Sequence, residues 1–317
     1  MAKILVTGAA GFIGSHTTDL LLASGHRVVG VDNFRTGRRE NLAAALSTPG
    51  FALHELDVAV PGALSALAAA ERPAAIIHLA ALVSVQESLS NPAENFSLNV
   101  QATHLVAEAA RLAGVGRVVF ASSSAVYGDT DVRPIPETTE TRPLSPYGAA
   151  KLASESLLLG HGASFGFTVR CHRYFNVYGP RQDPTSPYSG VISIFARRFA
   201  AGQSVTIYGD GGQTRDFIAV GDVARANLLA ATRPDLRPGV ANICTGRATS
   251  LLDLAQACAR HFPGGPPPVH APARSGDIRH SLGAPARAAA ELGFTADTAV
   301  AAGLAKLLGG VPAALVP

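Results

Sequence analysis

The feature that most restricts what this chain can become is the run Thr7-Gly8-Ala9-Ala10-Gly11-Phe12-Ile13-Gly14. It follows Lys3–Thr7, an apolar stretch that reads as a strand, and opens Phe12–Ala23, a helical pattern that ends before Gly25. A strand, a glycine-rich turn and a helix in that order bring free N–H groups and a positive dipole end to one point, a cradle for a pyrophosphate. Gly8 permits the tight turn, Gly11 lets backbone approach the phosphates, and Gly14 lets helix and strand pack closely. Phe12 and Ile13 begin the helix whose first amides face that point. The spacing is G-x-x-G-x-x-G. In such a unit an acid ~20 residues on binds the ribose hydroxyls. Asp32 ends the next strand, Arg27–Asp32, 24 residues after Gly8. Aspartate there favours NAD over NADP, and Arg35 nearby keeps the preference from being absolute. Asp57, at the end of a third strand, can accept from the adenine amine or be a solvated strand end.

Alternating strand and helix signals continue along the chain. Strands are predicted at Phe51–Val58, Ala74–Ala80, Arg117–Ser122 and Thr168–Phe175, and helices at Pro92–Leu112 and Tyr147–Leu159. That alternation predicts βαβ units and an α/β fold with a doubly wound parallel sheet. After residue 176 the rhythm breaks into a Pro/Ser/Gly loop, Pro180–Gly190, and a short strand, Ser204–Tyr208. Asp222–Thr232 and Val240–Cys244 return to the main sheet, and residues from Val269 onward form a small mixed cap. The expected division is a dinucleotide-binding domain of residues 1–175 plus 217–247 and a smaller mixed α/β domain of 176–216 plus 248–317. With 317 residues, 47% hydrophobic and 15% charged, the chain can bury a large core. Its charge of +3 is scattered, so no nucleic-acid partner is expected. Three dispersed cysteines predict neither disulfides nor a metal site. No apolar run reaches the ~18 residues of a membrane span, and a cytoplasmic location is expected.

Two further constellations carry chemistry. Tyr147-Gly148-Ala149-Ala150-Lys151 places a phenol and an ammonium on one helical face, and Lys151 is one of only three lysines. A nearby positive charge favours the phenolate and would move a phenol of ordinary pKa ~10 toward service as a base. Ser122-Ser123-Ser124 ends a strand at the sheet's carboxyl edge, where ligands bind and where hydroxyls can meet a substrate oxygen. A serine-rich loop satisfying its own backbone is the plainer alternative.

Taken together, TGxxGxxG, Asp32-Asn33, His78-Leu79-Ala80-Ala81, the serine cluster, Tyr147-x3-Lys151 and Arg173-Tyr174-Phe175-Asn176 occur in order over essentially the whole chain. The chain resembles the extended short-chain dehydrogenase/reductases, in their nucleotide-sugar epimerase/dehydratase group, and within it the UDP-hexose 4-epimerases. The resemblance implies a Rossmann domain holding NAD, with contacts from Asn33, Val58, Leu79, Ala80, Ala81 and Tyr174 besides the residues above. It implies transient oxidation at sugar C4 through a 4-keto intermediate. Tyr147 would take the O4 proton, Ser123 would bond O4 with Ser124 beside it, and Lys151 would bind the nicotinamide ribose. The UDP-sugar would meet Asn176, Val191, Tyr208, Arg215, Arg274 and Asp277. Ser281 matches the position beside the sugar C2 group, where a small residue leaves room for an N-acetyl substituent. Capping the following helical turn is its plainer role.

Val83 stands where the galactose branch carries a lysine, which moves the chain toward N-acetylhexosamine or uronate epimerases. Arg181 or Arg279 would meet a C6 carboxylate. Dehydratases and decarboxylases resemble the chain in fold and cofactor, but they need acidic residues beside the serine cluster, where this chain has Ser124-Ala125. A non-catalytic NAD-binding module would typically lack the Tyr or the Lys. The family further implies a homodimer through Pro92–Leu112 and Tyr147–Leu159, with Leu98, Leu105, Val106, Leu152 and Leu157 supplying its surface.

Overall fold

The structure, a computed structural model, describes residues 1–183, 190–262, 265–273 and 278–309. Arg274 and Asp277 lie outside the described residues, as do Pro184 to Ser189 and the apolar end from Gly310.

Seven strands form one parallel sheet: β1 Lys3–Thr7, β2 Arg27–Asp32, β3 Phe51–Glu55, β4 Ala75–His78, β5 Arg117–Ser123, β6 Thr168–Tyr174 and, after three short strands of a second lobe, β10 Gly239–Ile243. Their order is β10-β6-β5-β4-β1-β2-β3. The order reverses between β1 and β4, which opens a crevice at the carboxyl ends of those two strands. The near-continuous apolar strands follow from burial on both faces. Val29, Leu5, Ile76, Val118 and Val169 align across five strands. They pack beneath the Ala63–Glu71, Ala102–Ala113 and Pro146–Phe165 helices. Ile4, Val6, Ile77 and Val119 face the opposite core with the Val220–Thr232 helix. Each fully buried side chain of this kind contributes ~1.5–3 kcal/mol.

The second lobe holds β7 Asn176–Tyr178, β8 Thr206–Tyr208, β9 Thr214–Ala219, β11 Ala248–Ser250, β12 Val269–Ala271 and β13 His280–Ser281. β9 is its hub, pairing β7, β11 and β13, while β12 pairs β8. Helices Val191–Ala200, Leu251–His261 and Val300–Gly309 supply a separate core.

The structure departs from the sequence expectations in three places. The expected Pro92–Leu112 helix is broken into Pro92–Asn95, a π-helical turn over Phe96–Gln101, and Ala102–Ala113. Hydroxyls of Thr103 and Ser154 donate to the Asn99 carbonyl, bonds that compete with the regular ladder, and the Asn99 side chain donates its Nδ2 to the Leu82 carbonyl. The cap expected from Val269 onward is divided, because Ala288, Leu292 and Phe294 pack into the core of the large sheet. Val106, expected on an intersubunit surface, is fully buried against that sheet. No helix among the described residues is long and apolar enough to cross a membrane.

Candidate active site

The glycine-rich turn lies in the crevice between β1 and β4. Gly8 has φ +68, and a Cβ there would stand 2.8 Å from the Ala80 amide nitrogen. A Cβ on Gly14 would stand 1.9 Å from the Gly8 carbonyl oxygen. Only glycine lets the turn close against the loop after β4, and the close packing at Gly14 is with the turn itself. The helix starts at Phe12 with no side chain capping it, so the amides of its first turn remain available to an anion. This cradle fits a dinucleotide pyrophosphate.

Asp32 is buried at the end of β2 and accepts from the amides of Ala10 and Phe34, each at 2.8 Å. Burial raises its pKa, and the two amide bonds oppose that. The carboxylate is thereby fixed beside the glycine turn, where a ribose would lie. Asn33 donates to Asp57 at 3.0 Å. Val58 is buried, and Leu79, Ala80 and Ala81 line the exit of β4, where the Leu79 and Ala80 amides donate to Thr7 Oγ1. Arg35 is turned toward two carboxylates, Glu87 at 2.5 Å and Glu94 at 2.9 Å.

The second half of the crevice is built by β5 and the Pro146–Phe165 helix. Ser123 ends β5 and caps the following short turn, Ser124–Tyr127. That turn rests directly on the helix start, where a Cβ on Gly148 would lie 2.7 Å from the Ala125 carbonyl oxygen. The contact sets Ser123 beside the start of the helix that carries Tyr147, and the serine acts to lower the phenol's pKa. Ser124 is half-buried in the same turn. Lys151, one helical turn on, is 3% exposed; its ammonium lies 5.8 Å from the Tyr147 ring centroid and donates to the Ala121 carbonyl at 2.9 Å. Burial draws Lys151 down to about 7, with the Glu155 carboxylate opposing. The expected easing of the phenol by Lys151 is not what this arrangement produces. Burial pushes Tyr147 above its ordinary value, and the Ser123 side chain opposes that rise. The reason is desolvation, which disfavours the phenolate and is the largest influence on this group.

Glu155 was missed by sequence reasoning. It lies eight residues after Tyr147 and four after Lys151, on the same helical face, and that spacing was the available signal. Its carboxylate accepts from Ser122 Oγ and takes a bidentate pair from Arg173 at 2.9 and 2.7 Å. All three residues are buried. Gly148 was missed as well.

Tyr174 sits at the end of β6, but its hydroxyl donates to Asn227 at 2.7 Å within the core. Burial raises its pKa. In the second lobe Asn176 donates to the Asp216 carbonyl at 3.1 Å. Val191 begins a helix, Tyr208 ends β8, and Arg215 on β9 stands opposite Ser281 on β13. Ser281 therefore lies in a strand and caps nothing, because the next helix starts at Ala286 behind Pro285. The two arginines considered for a sugar carboxylate are engaged within the chain: Arg181 with Asp19 and Arg279 with Asp210, each at 2.7 Å. Val83 is 66% exposed.

A model of the NAD dependent epimerase/dehydratase family matches residues 4–244. A UDP-glucose 4-epimerase of Mycolicibacterium smegmatis is 41% identical over 305 residues, covering 96% of each chain. A UDP-N-acetylglucosamine 4-epimerase from Methanobrevibacter ruminantium, in complex with UDP-N-acetylmuramic acid, is similar in structure with a TM-score of 0.92 at 33% identity, over 97% of both chains. A UDP-glucose 4-epimerase of Thermus thermophilus, in complex with NAD, has a TM-score of 0.87 at 37% identity, over 97% of this chain and 98% of that one.

Proposed function

The chain belongs to the NAD-dependent epimerase/dehydratase family, and from that premise we propose that it interconverts a UDP-hexose and its C4 epimer, with UDP-glucose/UDP-galactose and their N-acetylated counterparts as substrates. The observation that carries the reading is the pairing of Tyr147 with buried Lys151 on one helical face, the ammonium 5.8 Å from the phenol ring, beside the end of β5 that carries Ser123.

NAD, when bound, supplies the acceptor for the C4 hydride. Tyr147 takes the O4 proton as the sugar is oxidised and returns it after the ring has turned. Ser123 holds O4 through its hydroxyl. Lys151 provides a positive charge beneath the phenol, and Glu155 favours the charged state of that lysine. Ser124 and Ala125 carry no carboxyl group to remove water across C5–C6, which supports epimerisation over dehydration or decarboxylation.

A neutral sugar is favoured over a uronate because Arg181 and Arg279 already have carboxylate partners. The small Ser281 beside Arg215 supports acceptance of a C2 N-acetyl group. Arg274 is proposed as a second diphosphate-binding arginine and Asp277 as a further substrate contact. A homodimer through residues 92–112 and the Pro146–Phe165 helix is proposed on the half-buried Leu98, Leu105, Leu152 and Leu157. Incubating the purified protein with UDP-glucose, UDP-N-acetylglucosamine and UDP-glucuronate, then separating the products, tests the reading. Conversion of the first two supports it, and conversion of the uronate alone would replace it.

A further inference from the structure

Arg35 lies three residues beyond Asp32, in the turn that leaves β2. Its amide donates to the Asn33 side chain at 3.0 Å, so its backbone is held in the turn that follows the ribose-facing carboxylate. An arginine near that carboxylate is the group that accommodates a 2′-phosphate and would admit NADP. Here it has other partners. Glu87, on the Val85–Ser90 helix, and Glu94, on the Pro92–Asn95 helix, both accept from its Nη2, at 2.5 and 2.9 Å. Both helices follow β4, on the far side of the crevice. Two carboxylates on one guanidinium give the trio a net negative charge.

We propose that Glu87 and Glu94 are cofactor-specificity residues, which withhold the Arg35 guanidinium from a 2′-phosphate and so restrict the site to NAD. The proposal rests on the reading of the crevice as a dinucleotide site and adds a second barrier to the one Asp32 provides. Asp32 repels the phosphate at the ribose edge, and the Glu87–Arg35–Glu94 trio engages the arginine that follows it most closely in sequence. The other two arginines of this segment are also paired, Arg38 with Asp183 at 2.5 Å and Arg39 with Glu55 at 3.6 Å. The roles are therefore separable by substitution at Arg35.

The test is the dinucleotide that the protein carries when purified. Wild type, the E87Q/E94Q double variant and that double variant with Arg35→Ala are denatured, and NAD and NADP in the supernatants are measured by separate enzymatic cycling assays. Freed from its carboxylates, Arg35 should raise the NADP-to-NAD ratio about tenfold or more, the selectivity that a charge-assisted hydrogen bond sustains. Arg35→Ala should return the ratio to the wild-type value. An unchanged ratio in E87Q/E94Q overturns the proposal. So does a raised ratio that survives Arg35→Ala. Absence of dinucleotide from every protein, wild type included, would overturn the cofactor reading beneath it and the proposal with it.

Discussion

Gly148→Ala is a small change with a large expected effect. The added Cβ would stand 2.7 Å from the Ala125 carbonyl oxygen and 3.1 Å from Pro143 Cβ, where ordinary contacts begin at 3.4 Å. The shortfall against the carbonyl is 3.4 − 2.7 = 0.7 Å, and the opposing atom is main chain, so the Ser124–Tyr127 turn has to retreat from the helix. Overpacking of this kind costs ~1–3 kcal/mol. The turn carries Ser123 at its start, so its hydroxyl would shift away from the Tyr147 phenol by a similar distance. A misplacement of ~1 Å costs ~10²-fold in rate. We therefore expect kcat to fall roughly 10- to 100-fold, with bound NAD unchanged, because the glycine turn and Asp32 are untouched. Initial rates of UDP-sugar conversion, bound-dinucleotide content and urea unfolding report the three quantities. Gly160→Ala on the same helix is the control, since its Cβ would meet nothing within 4 Å. Wild-type kcat in Gly148→Ala would refute the claim that this contact positions Ser123.

Three other outcomes follow from the same geometry. Glu155→Gln leaves Arg173 charged and buried without its partner and should lower the unfolding free energy by ~3–5 kcal/mol; a loss below ~1 kcal/mol in urea titration would mean that the pair is not stabilising as described. Lys151 holds its proton only to about pH 7 when folded, against ~10.4 in the unfolded chain, so between those values the unfolded state binds more protons and stability rises with pH. The stability gained by Lys151→Met in NAD-free protein should accordingly be largest near pH 7 and shrink toward pH 10, and a constant difference would contradict the burial argument. Ser281→Tyr should lose the N-acetylated substrates and spare the plain hexoses; equal loss of both would place C2 selection elsewhere.

The parts of the site that could be read from sequence are those in which a short stretch of chain makes its own geometry. Gly8 and Gly14 lie at the turn and helix start that follow β1, and one helix and one strand carry the chain on to Asp32, so spacing alone places them together. Tyr147 and Lys151 share a face for the same reason. Glu155 shares that face too, yet its meaning depends on Ser122 and Arg173, which arrive on β5 and β6 and become neighbours only when the sheet forms. At the π-helical turn Phe96–Gln101 the Asn99 carbonyl is taken by Ser154, far from it in sequence, so periodicity reported one continuous helix. The Leu251–His261 helix was legible and overlooked, since Ser250 and Asp253 form a capping box at its start. Arg35 is the reverse case, an arginine whose charge was visible while the carboxylates that neutralise it were not.

The central claim is that a hydride leaves C4 and returns to the same carbon while Tyr147 handles the proton. UDP-glucose deuterated at C4, incubated with the purified protein and no added cofactor, tests this directly by mass spectrometry and NMR of the products. The expected product is UDP-galactose that keeps its C4 deuterium, formed at a rate reduced ~10²–10⁴-fold in Tyr147→Phe. Product that has exchanged its C4 deuterium for solvent hydrogen, or a Tyr147→Phe variant that retains the wild-type rate, would contradict it.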